Sequence, residues 1–239
     1  MQGCSDKDLG LFPELRDNPP SMTESPLHRT RIKICGLTRE ADVDAAVEAG
    51  ADAIGFVLYE KSPRHVLAQR AGQLAARLPA FVTPVVLLVN ATDALLAQAL
   101  EAVPNALLQF HGDESVSDCQ RWGRPYLRAA RMGAGFDLLD FARAHAAAQA
   151  VLADALVEGY GGGGHVFDWR LIPDDLPGRL ILSGGLHAGN VDEGIRRLRP
   201  WAVDVSSGVE VAKGIKDAVK MREFCQAVRA ADLQCAGAT

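Results

Sequence analysis

Arg31-Ile32-Lys33-Ile34-Cys35-Gly36-Leu37-Thr38 sets the architecture of this chain. The run up to Cys35 alternates and is rich in β-branched residues, the pattern of a buried strand. Gly36 breaks it, and Thr38 is placed to cap a following helix. A thiol is thereby delivered at the C-terminal end of a strand, where parallel α/β proteins keep their chemistry.

Beyond this stretch, a strand–helix beat recurs about every 20–30 residues, the size of one βα unit. The expected strands are Arg31–Cys35, Ala53–Val57, Pro84–Val89, Ala106–Phe110, Tyr126–Ala130, Ala150–Asp154, Leu180–Ser183 and Ala202–Val205. Amphipathic stretches between them predict helices over Arg39–Glu48, Ala68–Arg77, Asp93–Ala102, Phe136–Ala147, Val191–Leu198 and Asp217–Ala227. Ser115–Arg121 and Trp169–Asp174 are weaker helical stretches. Eight such units predict a single-domain (β/α)8 barrel of the α/β class. The alternative, a doubly wound open sheet, usually has fewer strands and a glycine-rich first turn, and Cys35-Gly36-Leu37-Thr38 carries no dinucleotide fingerprint.

The domain reading is a loosely attached or disordered leader over 1–29, the barrel over 30–232 and a flexible tail over 233–239. Asp17-Asn18-Pro19-Pro20-Ser21 and few large apolar residues set the leader apart, and Met22 is an alternative start. The chain has 239 residues, 48% of them hydrophobic, and a formal net charge of −5. No long basic stripe points to a nucleic acid, although backbone amides can still bind phosphate. The five cysteines form no C-x-x-C pair, which argues against a disulfide scaffold or a zinc site. With no apolar membrane span or signal-peptide core, the expected setting is cytoplasmic, with no metal and no cofactor.

At the strand C-termini and in the following loops stand Cys35, Arg64, His111, Asp154, Asp204 and three glycine-containing loops. Ser183-Gly184-Gly185 and Ser206-Ser207-Gly208 follow the seventh and eighth strands, where barrels commonly hold phosphate. Glycines admit an anion close to the backbone and serines add donors; the plain alternative is that these are turn residues. The run Tyr160-Gly161-Gly162-Gly163-Gly164-His165 reads as a flexible connection, a lid, or a source of amides for phosphate. Cys35 alone reads as a buried filler, and Arg64 alone as a solvated loop arginine. A thiol and the Asp154 carboxylate on opposite strands can nevertheless form a base and an acid across a pocket. Arg64 can hold a carboxylate through two parallel hydrogen bonds. Asp168, in Phe167-Asp168-Trp169, is assigned to capping a short helix.

These residues together resemble the phosphoribosylanthranilate isomerase family. The resemblance rests on Arg31–Thr38, Gly50–Val57, Lys61-Ser62-Pro63-Arg64, Gln109–Glu114, Gly161–Trp169, Leu182–Leu186, Asn190-Val191 and Val203–Glu210, in order along almost the whole chain from Arg31 to Arg229. It implies a (β/α)8 barrel carrying out the Amadori rearrangement of N-(5-phosphoribosyl)anthranilate to 1-(2-carboxyphenylamino)-1-deoxyribulose 5-phosphate in tryptophan biosynthesis. It further implies that Cys35 is the general base, Asp154 the general acid, and Arg64 the ligand of the anthranilate carboxylate. His111 and Asp204 are further pocket candidates. Gly162, Gly163, Gly164, Ser183, Gly184, Gly185, Ser206, Ser207 and Gly208 are candidates for the phosphate. No cofactor is implied; the partner is a small phosphosugar, and the chain acts as a monomer or homodimer. One departure stands out: the family usually has Thr or Ser where this chain has Gly163, a loss on the order of 1 kcal/mol if that hydroxyl binds phosphate.

Other readings are a histidine-pathway isomerase, a ribulose-phosphate epimerase and a non-catalytic phosphate-binding barrel. The first wants aspartates at both catalytic positions, which Cys35 opposes. The second wants metal-ligating histidines, and His65, His111 and His165 do not recur at strand ends in such a set. Cys35, Asp154 and Arg64 together argue against the third.

Overall fold

The structure is a computed structural model and describes residues 29–156 and 166–237. Eight strands close into a parallel barrel: β1 (Arg31–Cys35), β2 (Ala53–Val57), β3 (Thr83–Leu88), β4 (Leu107–Phe110), β5 (Tyr126–Met132), β6 (Ala150–Ala155), β7 (Leu180–Leu182) and β8 (Ala202–Val205). β1 closes the ring by pairing with β8, with Lys33 opposite Asp204. The expected fold class is therefore borne out. A two-stranded antiparallel ribbon, β9 (Glu210–Ala212) and β10 (Ile215–Lys216), follows β8.

The helices are α1 (Glu40–Ala49), α2 (Ala68–Ala75), α3 (Asp93–Ala102), α4 (Val116–Gln120), α5 (Leu138–Ala144), α6 (Val191–Leu198) and α7 (Ala218–Ala236). One 3-10 turn, Trp169–Leu171, is the described helical element between β6 and β7. The period of two sorts each strand into layers. Ile32 and Ile34 pack in the sheet–helix core, whereas Cys35 joins Val57, Leu87 and Val89 inside the barrel mouth. Val85, Leu127, Leu152 and Ile181 fill the interior deeper down.

Several expectations change; the fifth helix, for one, shortens to Leu138–Ala144. Thr38 does not cap α1; Arg39 occupies that position, and the Thr38 hydroxyl donates instead to the Gly214 carbonyl at 2.9 Å. That bond ties the first loop to the β9–β10 ribbon. The expected tail over 233–239 is corrected in its described part, because α7 continues through Ala236. The buried face Phe224, Val228, Ala231 and Cys235 keeps its helical spacing past residue 232, so packing carries the helix on. Finally, β5 runs two residues beyond its expected end, through Arg131 and Met132. The barrel itself begins at Thr30, whose amide and hydroxyl both donate to Asp232 of α7, at 2.8 and 2.7 Å. Of the leader over 1–29, Arg29 alone is described, and its guanidinium pairs with Asp52; residues 1–28 lie outside the described residues. Among the described residues no helix is long and apolar enough to cross a membrane.

Candidate active site

The C-terminal end of the barrel collects the candidate side chains, because each ends a strand or opens the loop after it. Cys35 ends β1 and is buried. A Cβ placed on Gly55 of β2 would lie 2.6 Å from the Cys35 sulfur, so the thiol occupies the space that a side chain there would fill. Burial pushes the thiol above its ordinary pKa; the charge of Lys33 opposes the rise. Lys33 precedes Cys35 by two residues and so shares its face of the strand. Its ammonium donates to both carboxylate oxygens of Asp204, each at 2.9 Å, with both residues buried. Burial works against the Lys33 charge, but Asp204 and Cys35 outweigh it, and the ammonium is held above its usual value.

Asp154, on β6, accepts from its neighbour's amide, Ala155 N, at 3.0 Å through Oδ1. Its Oδ2 lies 3.1 Å from His111 Nε2, just after β4. His111 Nδ1 lies 3.0 Å from Gln109 Nε2, so three buried side chains form one chain of hydrogen bonds. Asp168 stands apart. It caps the 3-10 turn by accepting from Arg170 N and pairs with the Arg170 guanidinium, whose hydrogen bond pulls its pKa down to about 2.

Arg64 is buried rather than solvated. Its side chain crosses over Gly36, whose φ of +80° and crowded α-carbon leave no room for a Cβ. Its Nε and Nη2 donate to the two oxygens of Glu210, both at 2.8 Å. The fork that the sequence reading reserves for a substrate carboxylate is thus filled by a carboxylate of this chain. Lys216 Nζ also donates to Glu210, at 2.8 Å. Burial opposes the Glu210 charge, but the Arg64 hydrogen bonds and Lys216 outweigh it and hold its pKa down. Burial pushes the Lys216 ammonium below its usual value, and Glu210 opposes that fall.

The two serine–glycine loops meet. Gly208 packs against the Leu186 carbonyl and lies beside His187. Gly184 and Gly185 both take positive φ, and a Cβ on Gly184 would lie 3.1 Å from Asp154 Oδ1. Ser206 is already engaged: its hydroxyl donates to the Cys35 carbonyl at 2.9 Å and accepts from Lys216 at 3.2 Å. Its single proton is therefore committed inside the protein. Gly162, Gly163 and Gly164 lie outside the described residues.

Lys33, Gln109 and Glu210 stand inside the motifs quoted above, but neither they nor Lys216 are singled out by the sequence as site residues. The signal for Lys33 was present, since period-two alternation places it on the face of Cys35.

A family model for N-(5'-phosphoribosyl)anthranilate (PRA) isomerase matches residues 32–227. The chain belongs to the N-(5'-phosphoribosyl)anthranilate isomerase family. Its similarity to the N-(5'-phosphoribosyl)anthranilate isomerase of Leptothrix cholodnii is 67% identity over 204 residues, 85% of this chain and 93% of the relative. Among solved structures, the phosphoribosyl anthranilate isomerase of Thermus thermophilus superposes with a TM-score of 0.77 at 30% identity, covering 84% of this chain and 99% of that one. A second isomerase, in complex with reduced 1-(o-carboxyphenylamino)-1-deoxyribulose 5-phosphate, gives 0.74 at 33% identity over the same shares. Among the described residues no group of three His, Cys, Asp or Glu side chains can hold a metal ion.

Proposed function

We propose that this isomerase converts N-(5-phosphoribosyl)anthranilate to 1-(2-carboxyphenylamino)-1-deoxyribulose 5-phosphate, with Asp154 as general acid and Cys35 as general base. The observation that carries the reading is the placement of both groups, buried, on strands β6 and β1 of one barrel mouth. Asp154 gives its proton to the furanose ring oxygen. The C1′–O bond breaks as the anthranilate nitrogen forms a Schiff base with C1′. The Cys35 thiolate then takes the C2′ proton, and the resulting enolamine tautomerises to the ketone.

Arg64 holds the anthranilate carboxylate. Nε and Nη2 are occupied by Glu210, so the substrate is met by Nη1. The phosphate sits over the joined loops after β7 and β8, held by backbone amides with Ser183 and Ser207.

The test is a fluorescence assay. Freshly generated phosphoribosylanthranilate should lose its anthranilate signal when the protein is added. Cys35→Ser and Asp154→Asn should each lower kcat by roughly 10²–10⁴-fold, the usual worth of a positioned acid or base. A serine variant of full activity removes Cys35 from the role.

A further inference from the structure

The thiol assigned as base has a difficulty of its own. It is buried, and its pocket wall is apolar on one side: Val57, Leu87 and Val89. Burial favours the neutral thiol, yet proton abstraction needs the thiolate. Some neighbouring group has to offset that cost.

Four charged groups act on the site of the sulfur. Lys33 comes from β1 itself, Asp204 from β8, Lys216 from β10 and Arg64 from the loop after β2. Asp154 and His111 act one step further out, on Asp204. Arg64 and Lys216 share Glu210, which absorbs much of their charge. Lys33 differs in its placement. It shares the strand face of Cys35, two residues away, is buried there with its ammonium on Asp204, and its charge acts on the sulfur. Asp204 lies directly opposite Lys33 in the β1–β8 register and holds the ammonium by both carboxylate oxygens.

We propose that Lys33 is the positioning residue that holds the Cys35 thiolate, and that Asp204 limits how much of the ammonium's charge the sulfur receives. The proposal rests on the reading of Cys35 as base. It gives the buried ion pair a role in the chemistry. Asp204 and the thiolate both favour the charged lysine against burial, so removing Asp204 leaves the thiolate as its counter-ion. A charge placed by a closed barrel cannot swing away, so the thiolate meets a fixed partner instead of reorienting solvent.

The experiment reads the thiol directly, without turnover. The intact protein is alkylated with iodoacetamide across pH, and the Cys35 peptide is quantified by mass, which separates it from the other cysteines. Asp204→Asn should move the Cys35 profile to lower pH, because the lysine is freed from its carboxylate. Lys33→Met should move it to higher pH by about one unit, a tenfold fall in thiolate at a given pH below the midpoint. Lys33→Arg should restore most of the shift. Lys33→Met leaves Asp204 buried without a partner and can fail to fold. The double change Lys33→Met with Asp204→Asn avoids that, and compared with Asp204→Asn alone it isolates the lysine; its profile should again lie at higher pH.

The pH profile of kcat/KM should move in step with each alkylation profile. If the double variant and Asp204→Asn alkylate with the same midpoint, Lys33 does not hold the thiolate and the proposal is wrong. That result leaves the base role of Cys35 intact. Full activity of Cys35→Ser, conversely, removes the base role without altering the alkylation result.

Discussion

The guanidinium of Arg64 and the carboxylate of Glu210 meet in a fork of two 2.8 Å hydrogen bonds between buried partners. Glu210 therefore fixes the plane of Arg64 before substrate arrives, and Nη1 takes no part in the fork. A rigid planar donor loses less freedom on binding a carboxylate than a mobile one.

Arg64→Ala should accordingly raise KM more than it lowers kcat, because the anthranilate carboxylate keeps its charge throughout the reaction. A charge-assisted hydrogen bond is worth about 1.5–3 kcal/mol, or roughly 10- to 150-fold. Arg64→Lys should be intermediate. Glu210→Gln should also raise KM, since the amide offers only one acceptor to the fork. An analogue without the carboxylate should bind wild type and Arg64→Ala alike. Equal discrimination against that analogue and the true substrate would show that Arg64 does not read the carboxylate.

Gly55→Ala should disable the enzyme without unfolding it. The added methyl would arrive 2.6 Å from the Cys35 sulfur, closer than two such atoms can sit. Either the thiol turns or β2 shifts, and overpacking of this kind costs about 1–3 kcal/mol. The expected result is at least a tenfold fall in kcat with an unchanged circular dichroism spectrum, because misplacing a reacting atom by about 1 Å is already that costly. Wild-type kcat in Gly55→Ala would mean that the sulfur is not held where the barrel shows it.

Much of the fold is written locally. Ile32 and Ile34 announce their strand by alternation, Pro84 to Val89 announce theirs by an unbroken apolar run, and β1, β2 and β8 fall on their expected residues. Local motifs single out Cys35 and Asp154 at strand ends and Arg64 in the loop after β2 as candidates. What stayed hidden is pairing over distance. Lys33 reads as a charge in an apolar strand until the barrel closes and brings Asp204 from 171 residues away. Glu210 likewise stands 146 residues from Arg64, and no local pattern links them. Thr38 misled because a threonine before a helix satisfies the capping pattern, while its real partner, Gly214, lies on a ribbon that only the fold brings near.

The two candidate carboxylates of the sixth unit should separate cleanly. Asp168 is bound to Arg170, which keeps it ionised at neutral pH and unable to give up a proton. Asp168→Asn should change kcat less than twofold, since Asn also caps helical turns well. Asp154→Asn should lose the roughly 10²–10⁴-fold expected of a general acid. A larger kcat loss in Asp168→Asn than in Asp154→Asn reverses the assignment.

His145, far from the chemistry at the C-terminal end of α5, should make the fold sensitive to acid. It is buried against Phe141, with ring centroids 4.7 Å apart, and its Nδ1 has no hydrogen-bond partner among the described residues. Burial, with the nearby Arg128 charge, lowers its pKa to about 4. An unfolded chain would protonate it near pH 6.5. Between those values the unfolded state binds a proton that the folded state refuses, so stability falls as pH drops from about 6.5 to about 4 and this contribution then levels off. The loss is about 1–3 kcal/mol. His145→Leu removes the titrating group while keeping an apolar side chain against Phe141. Urea midpoints at pH 7, 5.5 and 4.5 should show wild type losing more stability than His145→Leu across that window. Other acid-sensitive pairs, such as Glu40 with Arg70, act equally in both proteins and cancel in the difference. Parallel losses in the two proteins would mean that His145 already carries its proton in the fold.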